Sequence, residues 1–121
     1  MATILIIDDD ASIRALLRRV LEGAGHSVLE SSNGQAGLSI YRTKSVDLVI
    51  TDVYMPELSG FDLILEIAHE FPDARVIAIS GEVSEQDNIL HATKLLGIRQ
   101  IFKKPLSLEK FLAAVEYELQ H

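Results

Sequence analysis

Two adjacent aspartates, Asp8 and Asp9, follow the apolar run Ile4-Leu5-Ile6-Ile7, and a third, Asp52, follows Asp47-Leu48-Val49-Ile50-Thr51. Ser80 closes the run that begins at Arg75, and Lys103-Lys104-Pro105 follows the run from Ile98 to Phe102. These short, β-branched runs bounded by polar or turn residues predict strands buried on both faces. In an open parallel sheet, ligands bind outside the carboxyl ends of the strands, where the strand order reverses. The carboxylates of Asp8, Asp9 and Asp52, the Ser80 hydroxyl and the Lys104 ammonium would then share one rim.

Carboxylates a few ångströms apart repel one another by a few kcal/mol per pair at an effective dielectric near ~20. Such a cluster protonates or recruits a cation. Hard oxygen ligands on a partly wet rim suit Mg²⁺, which takes one or two carboxylates, several waters and a phosphate oxygen. A carboxylate is also a nucleophile towards phosphorus, giving an aspartyl phosphate. A neighbouring hydroxyl and ammonium can hold the remaining phosphoryl oxygens. The residues point to metal-assisted phosphoryl transfer onto one of these aspartates.

The elements that must position this chemistry alternate in period. Ile13, Leu16, Leu17, Val20, Leu21 and Ala24 recur at helical spacing, with Arg14, Arg18, Arg19 and Glu22 on the other face. Asp10 stands where that helix needs a cap, and Gly25 where it needs a stop. Val28-Leu29 predicts a weaker second strand, and Asn33 to Tyr41 a helix that Gly37 weakens. Phe61, Ile64, Leu65 and Ala68 stripe a third helix that Pro72 closes. Ser84 and Asp87 resemble a capping box opening a fourth, which reaches about Leu96. Leu108, Phe111, Leu112, Val115 and Leu119 stripe the fifth. Five strands alternating with five helices predict an α/β fold, a doubly wound parallel sheet with helices on both faces.

Composition narrows the function classes. The chain has 121 residues, 48% hydrophobic and 24% charged, which is one globular domain over residues 1–121. With no Cys there is no disulfide scaffold, zinc–thiolate site, iron–sulfur cluster or thiol nucleophile. A net charge of −7 repels phosphate backbones and argues against direct nucleic-acid binding. The start of the chain lacks a secretory pattern, and no apolar run reaches the roughly 18 residues of a membrane span. A soluble, cytoplasmic domain is expected. His26, His69, His91 and His121 lack metal-ligand spacing and are expected at the surface or at helix ends.

The pieces Ile6-Ile7-Asp8-Asp9, Val49-Ile50-Thr51-Asp52-Val53-Tyr54-Met55-Pro56, Ser59-Gly60, Ile77-Ala78-Ile79-Ser80-Gly81 and Lys104-Pro105 stand in a familiar order and spacing. Together they resemble the receiver domains of two-component response regulators, over the chain from about Thr3 to Leu119. The resemblance implies a flavodoxin-like sheet of order 2-1-3-4-5. It implies that Asp52 is the phosphoacceptor and also a Mg²⁺ ligand, that Asp9 and the Tyr54 carbonyl ligate Mg²⁺ with it, and that Asp8 belongs to the metal site by positioning metal-bound water. Ser80 and Lys104 would contact the phosphoryl group. The donor would be a sensor histidine kinase or phosphotransfer protein, and the chain would act as a signalling module rather than an enzyme. A downstream protein or output domain would read the surface of the fourth helix, fifth strand and fifth helix.

Two positions depart from the family pattern. Ile101 stands where the family usually has Tyr or Phe, three residues before Lys104, so the usual ring movement has no ring. Tyr54 places a bulky side chain two residues beyond Asp52, beside the route of attacking water. Other functions fit less well. A small metal-dependent phosphatase using Asp52 needs a second Asp at the position Tyr54 occupies. A flavin-binding module needs a phosphate loop after the first strand, where Asp8-Asp9-Asp10 would repel it. The sequence is equally consistent with a stand-alone receiver and with one cut from a longer regulator.

Overall fold

The computed structural model describes residues 2–52, 60–80, 98, 100–103 and 106–120, with backbone alone for 60–64 and 80. The helix expected from Ser84 to Leu96 lies outside the described residues, as do Tyr54, Lys104 and His91.

The strands are β1 (Thr3–Ile7), β2 (Ser27–Ser31), β3 (Leu48–Asp52), β4 (Val76–Ser80) and β5 (Gln100–Lys103). The helices among the described residues are α1 (Ala11–Gly23), α2 (Gly34–Thr43), α3 (Gly60–Glu70) and α4 (Leu108–Gln120). All strand pairs are parallel, in the order β2-β1-β3-β4-β5. This is the doubly wound, flavodoxin-like sheet expected. Some boundaries move. The third strand, expected to stop before Asp52, includes it, because Asp52 pairs with Ile79 of β4. The fifth starts at Gln100 rather than Ile98, since its register with β4 runs from Ile77↔Gln100 to Ser80↔Lys103.

Alternate residues of each strand feed two cores. On one side Ile4, Ile6, Ile50, Ile77 and Ile79 pack with Leu17 and Leu21 of α1 and Phe111 and Val115 of α4. On the other, Leu5, Ile7, Val49 and Val76 pack with Leu38 of α2 and Ile67 of α3. Burial on both faces is why β1 and β3 read as unbroken apolar runs. Helix ends follow local chemistry. The Asp10 side chain caps α1, accepting from Ser12 N at 2.9 Å and Ile13 N at 3.4 Å. Gly25, just past α1, has φ +94°, a left-handed conformation that glycine adopts without a Cβ penalty. Leu16, counted in the apolar stripe of α1, is exposed, because Leu17 and Leu21 fill the inward face.

Gly37 does more than weaken α2. A Cβ there would lie 2.4 Å from Cδ1 and 2.8 Å from Cγ1 of Ile7, a fully buried side chain. The missing side chain lets α2 settle onto β1. Gly37→Ala is expected to cost about 1–3 kcal/mol by overpacking, despite the better helix propensity of Ala. Urea unfolding reads this directly, and an unchanged midpoint would show that Ile7 yields without cost.

Two polar residues are buried, one of them against the sequence reading. His26, expected at the surface or a helix end, is buried beside the N-terminal strand and α4. Its Nδ1 accepts from Ala2 N at 3.2 Å, and its Nε2 lies 2.7 Å from Glu116 Oε1. Polar partners at both ring nitrogens make the burial tolerable. Glu118, which breaks the apolar stripe of α4, is only 3% exposed. Its Oε1 accepts from Gln100 Nε2 at 3.2 Å, and its Oε2 has no hydrogen-bond partner among the described residues. A half-satisfied buried carboxylate is costly, so Glu118→Gln should raise the unfolding free energy by about 1 kcal/mol. A loss of that size in urea unfolding would show that the charge contributes to the fold.

Candidate metal centre

The site is built where β1 and β3 end side by side. Their register pairs Ile7 with Thr51, so Asp8 and Asp52 follow at one level on adjacent strands. Asp8 is 1% exposed and Asp52 5%, whereas Asp9 faces solvent. One carboxylate oxygen from each of Asp8, Asp9 and Asp52 lies within 4.8 Å of the others. The two buried members repel by about 3–4 kcal/mol when both are ionised, at an effective dielectric of ~20.

The backbone around the cluster is held from several directions. Asp8 N donates to Ser31 O at 3.1 Å, and Asp10 N donates to Asp8 Oδ1 at 2.9 Å. Arg14 Nη1 donates to the Asp8 carbonyl at 2.6 Å. Arg14 Nε also reaches Glu30 Oε1 at 3.3 Å, and Glu30 pairs with Arg18. The hydrogen bond that Arg18 donates to Glu30 raises the guanidinium pKa above its already high range. At the end of the central strand, the buried Thr51 hydroxyl donates to the Asp52 carbonyl at 3.0 Å.

The donor set fits a hard divalent cation. Mg²⁺ binds oxygen at about 2.1 Å, which spaces its ligand oxygens roughly 3–4 Å apart, so small side-chain rotations bring these carboxylates to one ion. A solvent-facing Asp9 leaves room for the waters that Mg²⁺ retains. A separate groove of about 320 Å³, lined by Arg42, Leu65, Glu66, His69 and Glu70, contains none of these aspartates.

The structure therefore brings together Asp8, Asp9 and Asp52 among the residues singled out from sequence. The Ser80 backbone ends β4 one residue beyond the partner of Asp52, at the same rim, and pairs with the exposed Lys103. The Ser80 side chain, Tyr54 and Lys104 lie outside what is described. Arg14 and Thr51 escaped the sequence reading. Arg14 looked like solvent-facing charge, and Thr51 like strand filler.

The family model described as response regulator receiver domain matches residues 4–116. The transcriptional regulator NtrC of Azospirillum brasilense is 36% identical over 120 residues, which is 98% of this chain and 24% of that protein. The chemotaxis protein CheY of Thermotoga maritima is 32% identical over 113 residues, covering 93% of this chain and 92% of that one. Among solved structures, the response regulator TrrA of Thermotoga maritima, in complex with Mg²⁺-BeF, superposes with a TM-score of 0.87 at 25% identity. That superposition covers 98% of this chain and 99% of TrrA. The chain thus spans about a quarter of NtrC and nearly the whole of CheY. No helix among the described residues is long and apolar enough to cross a membrane.

Proposed function

This chain belongs to the response regulator receiver domain family, and from that premise we propose that Asp52 is its phosphoacceptor and that Asp8 and Asp9 hold the Mg²⁺ that phosphorylation requires. The observation that carries this reading is the meeting of three carboxylates within 4.8 Å at the ends of β1 and β3. Residues 1–121 act as a single receiver domain.

In this reading an Asp52 carboxylate oxygen forms the new bond to phosphorus while the bond to the donor histidine nitrogen breaks. The imidazole keeps that electron pair and takes up a proton. Asp9, Asp52 and the Tyr54 carbonyl would hold the metal, and Asp8 would position its bound water. When bound, Mg²⁺ neutralises charge on the phosphoryl oxygens. The Ser80 hydroxyl donates to one phosphoryl oxygen and the Lys104 ammonium pairs with another. The Thr51 hydroxyl steadies the main chain that carries the nucleophile.

The donor is a phosphohistidine on a sensor kinase or phosphotransfer protein. The chain promotes only its own phosphorylation and dephosphorylation, and does so in the cytoplasm without touching nucleic acid. The output surface combines the segment from Ser84 to Leu96, β5 and α4. Ile101, half-buried in β5, supplies no ring there, so the family's usual ring movement does not couple phosphorylation to that surface. Incubation with Mg²⁺ and phosphoramidate, read by intact mass, tests the reading. One phosphate per chain is expected with Mg²⁺ and none in a chelator. Equal labelling in both would contradict it.

A further inference from the structure

We propose that Arg14 is a positioning residue for the metal site, fixing the Asp8–Asp9 peptide so that the Asp9 carboxylate is already placed when Mg²⁺ arrives. The inference rests on the reading of the acidic cluster as a Mg²⁺ site and adds a residue to it. Arg14 stands on α1, six positions beyond Asp8, and its Nη1 donates to the Asp8 carbonyl at 2.6 Å. Bonds from a charged donor at this length are the strong ones. The same peptide unit is planar, so fixing its carbonyl also fixes the Asp9 N–H and the direction in which Asp9 leaves the strand. The N–H of Asp8 is held on the other side by Ser31 O at 3.1 Å. The turn beyond is closed by Asp10 N on Asp8 Oδ1 at 2.9 Å.

Glu30 of β2 completes the device. It accepts from Arg14 Nε at 3.3 Å and orients the guanidinium towards the carbonyl. Glu30 also binds Arg18, one helical turn further along α1. The two arginines therefore share a carboxylate, and of the two Arg14 carries the bond to Asp8. That difference separates positioning from general support of the fold. Ordering the Asp8–Asp9 peptide in advance removes an entropy cost that metal binding would otherwise meet.

The test compares Arg14→Met with Arg18→Met in the full chain, because Met keeps the aliphatic stem and removes the donors. Mg²⁺ affinity is measured by amide NMR titration with MgCl₂, and amide hydrogen exchange of Asp9 and Asp10 without metal. Arg14→Met should weaken Mg²⁺ binding about tenfold, as outer-shell partners of metal ligands commonly do. Its Asp9 and Asp10 amides should exchange several-fold faster in the absence of metal. Arg18→Met should leave both readings at the wild-type level, and Arg14→Lys, which retains one donor, should bind Mg²⁺ more tightly than Arg14→Met. Equal Mg²⁺ affinities and equal exchange in the two Met variants would overturn the proposal. A wild-type chain that binds no Mg²⁺ would refute the cluster reading, and the metal-free exchange would still decide whether Arg14 holds the peptide.

Discussion

Asp52→Asn abolishes the phosphate adduct while leaving the protein folded. An amide lacks the nucleophilic oxyanion, so labelling by phosphoramidate should fall at least a hundredfold, about 2.7 kcal/mol of barrier. The expectation is sharp because Asp8 and Asp9 stay in place, with oxygens within 4.8 Å of the position Asp52 occupied. If a neighbouring carboxylate served equally well, the variant would still gain mass. Asp8 is 1% exposed and its Oδ1 already accepts the Asp10 amide, which disfavours it as an attacking group. Asp9 is accessible, but in the proposed site its oxygens would be engaged by the metal. Position at the end of the central strand, rather than intrinsic basicity, selects Asp52.

The second large effect belongs to Asp9. Replacing it with Asn removes the solvent-facing carboxylate of the cluster and should weaken Mg²⁺ binding roughly a hundredfold, about 2.7 kcal/mol. Thermal unfolding with and without MgCl₂ measures this, since a ligand that binds only the native state raises its stability by mass action. Wild type should gain stability across the titration, and Asp9→Asn should gain none at the same concentrations. Without metal Asp9→Asn should be no less stable than wild type, because losing one carboxylate relieves repulsion within the cluster. A full Mg²⁺ response in Asp9→Asn would remove Asp9 from the ligand set.

Much of this arrangement was legible before any coordinates. The apolar runs ending at Asp8 and Asp52 predict two parallel strands, the family resemblance alone makes them neighbours, and a sheet buried on both faces leaves such charges no place but its rim. The cap at Asp10 follows from a side-chain oxygen meeting free amides at a helix start. What escaped depends on contacts between distant residues. Periodicity assigns Arg14 to a wet face, yet α1 lies so that its guanidinium spans from Glu30 to the Asp8 carbonyl. Glu118 and His26 are buried because Gln100, Ala2 and Glu116 come from elsewhere in the chain to meet them. Gly37 shows the opposite error. Helix propensity counts it as a weakness, while tertiary packing against Ile7 requires it.

The most direct test of the central claim locates the acyl phosphate in the wild-type chain. Phosphorylation with Mg²⁺ and phosphoramidate is followed by borohydride reduction, which converts an aspartyl phosphate to homoserine. Trypsin then separates the fragment 1–14, which carries Asp8 and Asp9, from the fragment 45–75, which carries Asp52. Fragment-ion masses should place homoserine at position 52 alone. Homoserine at position 8 or 9, or at any residue of 45–75 other than 52, would contradict the account.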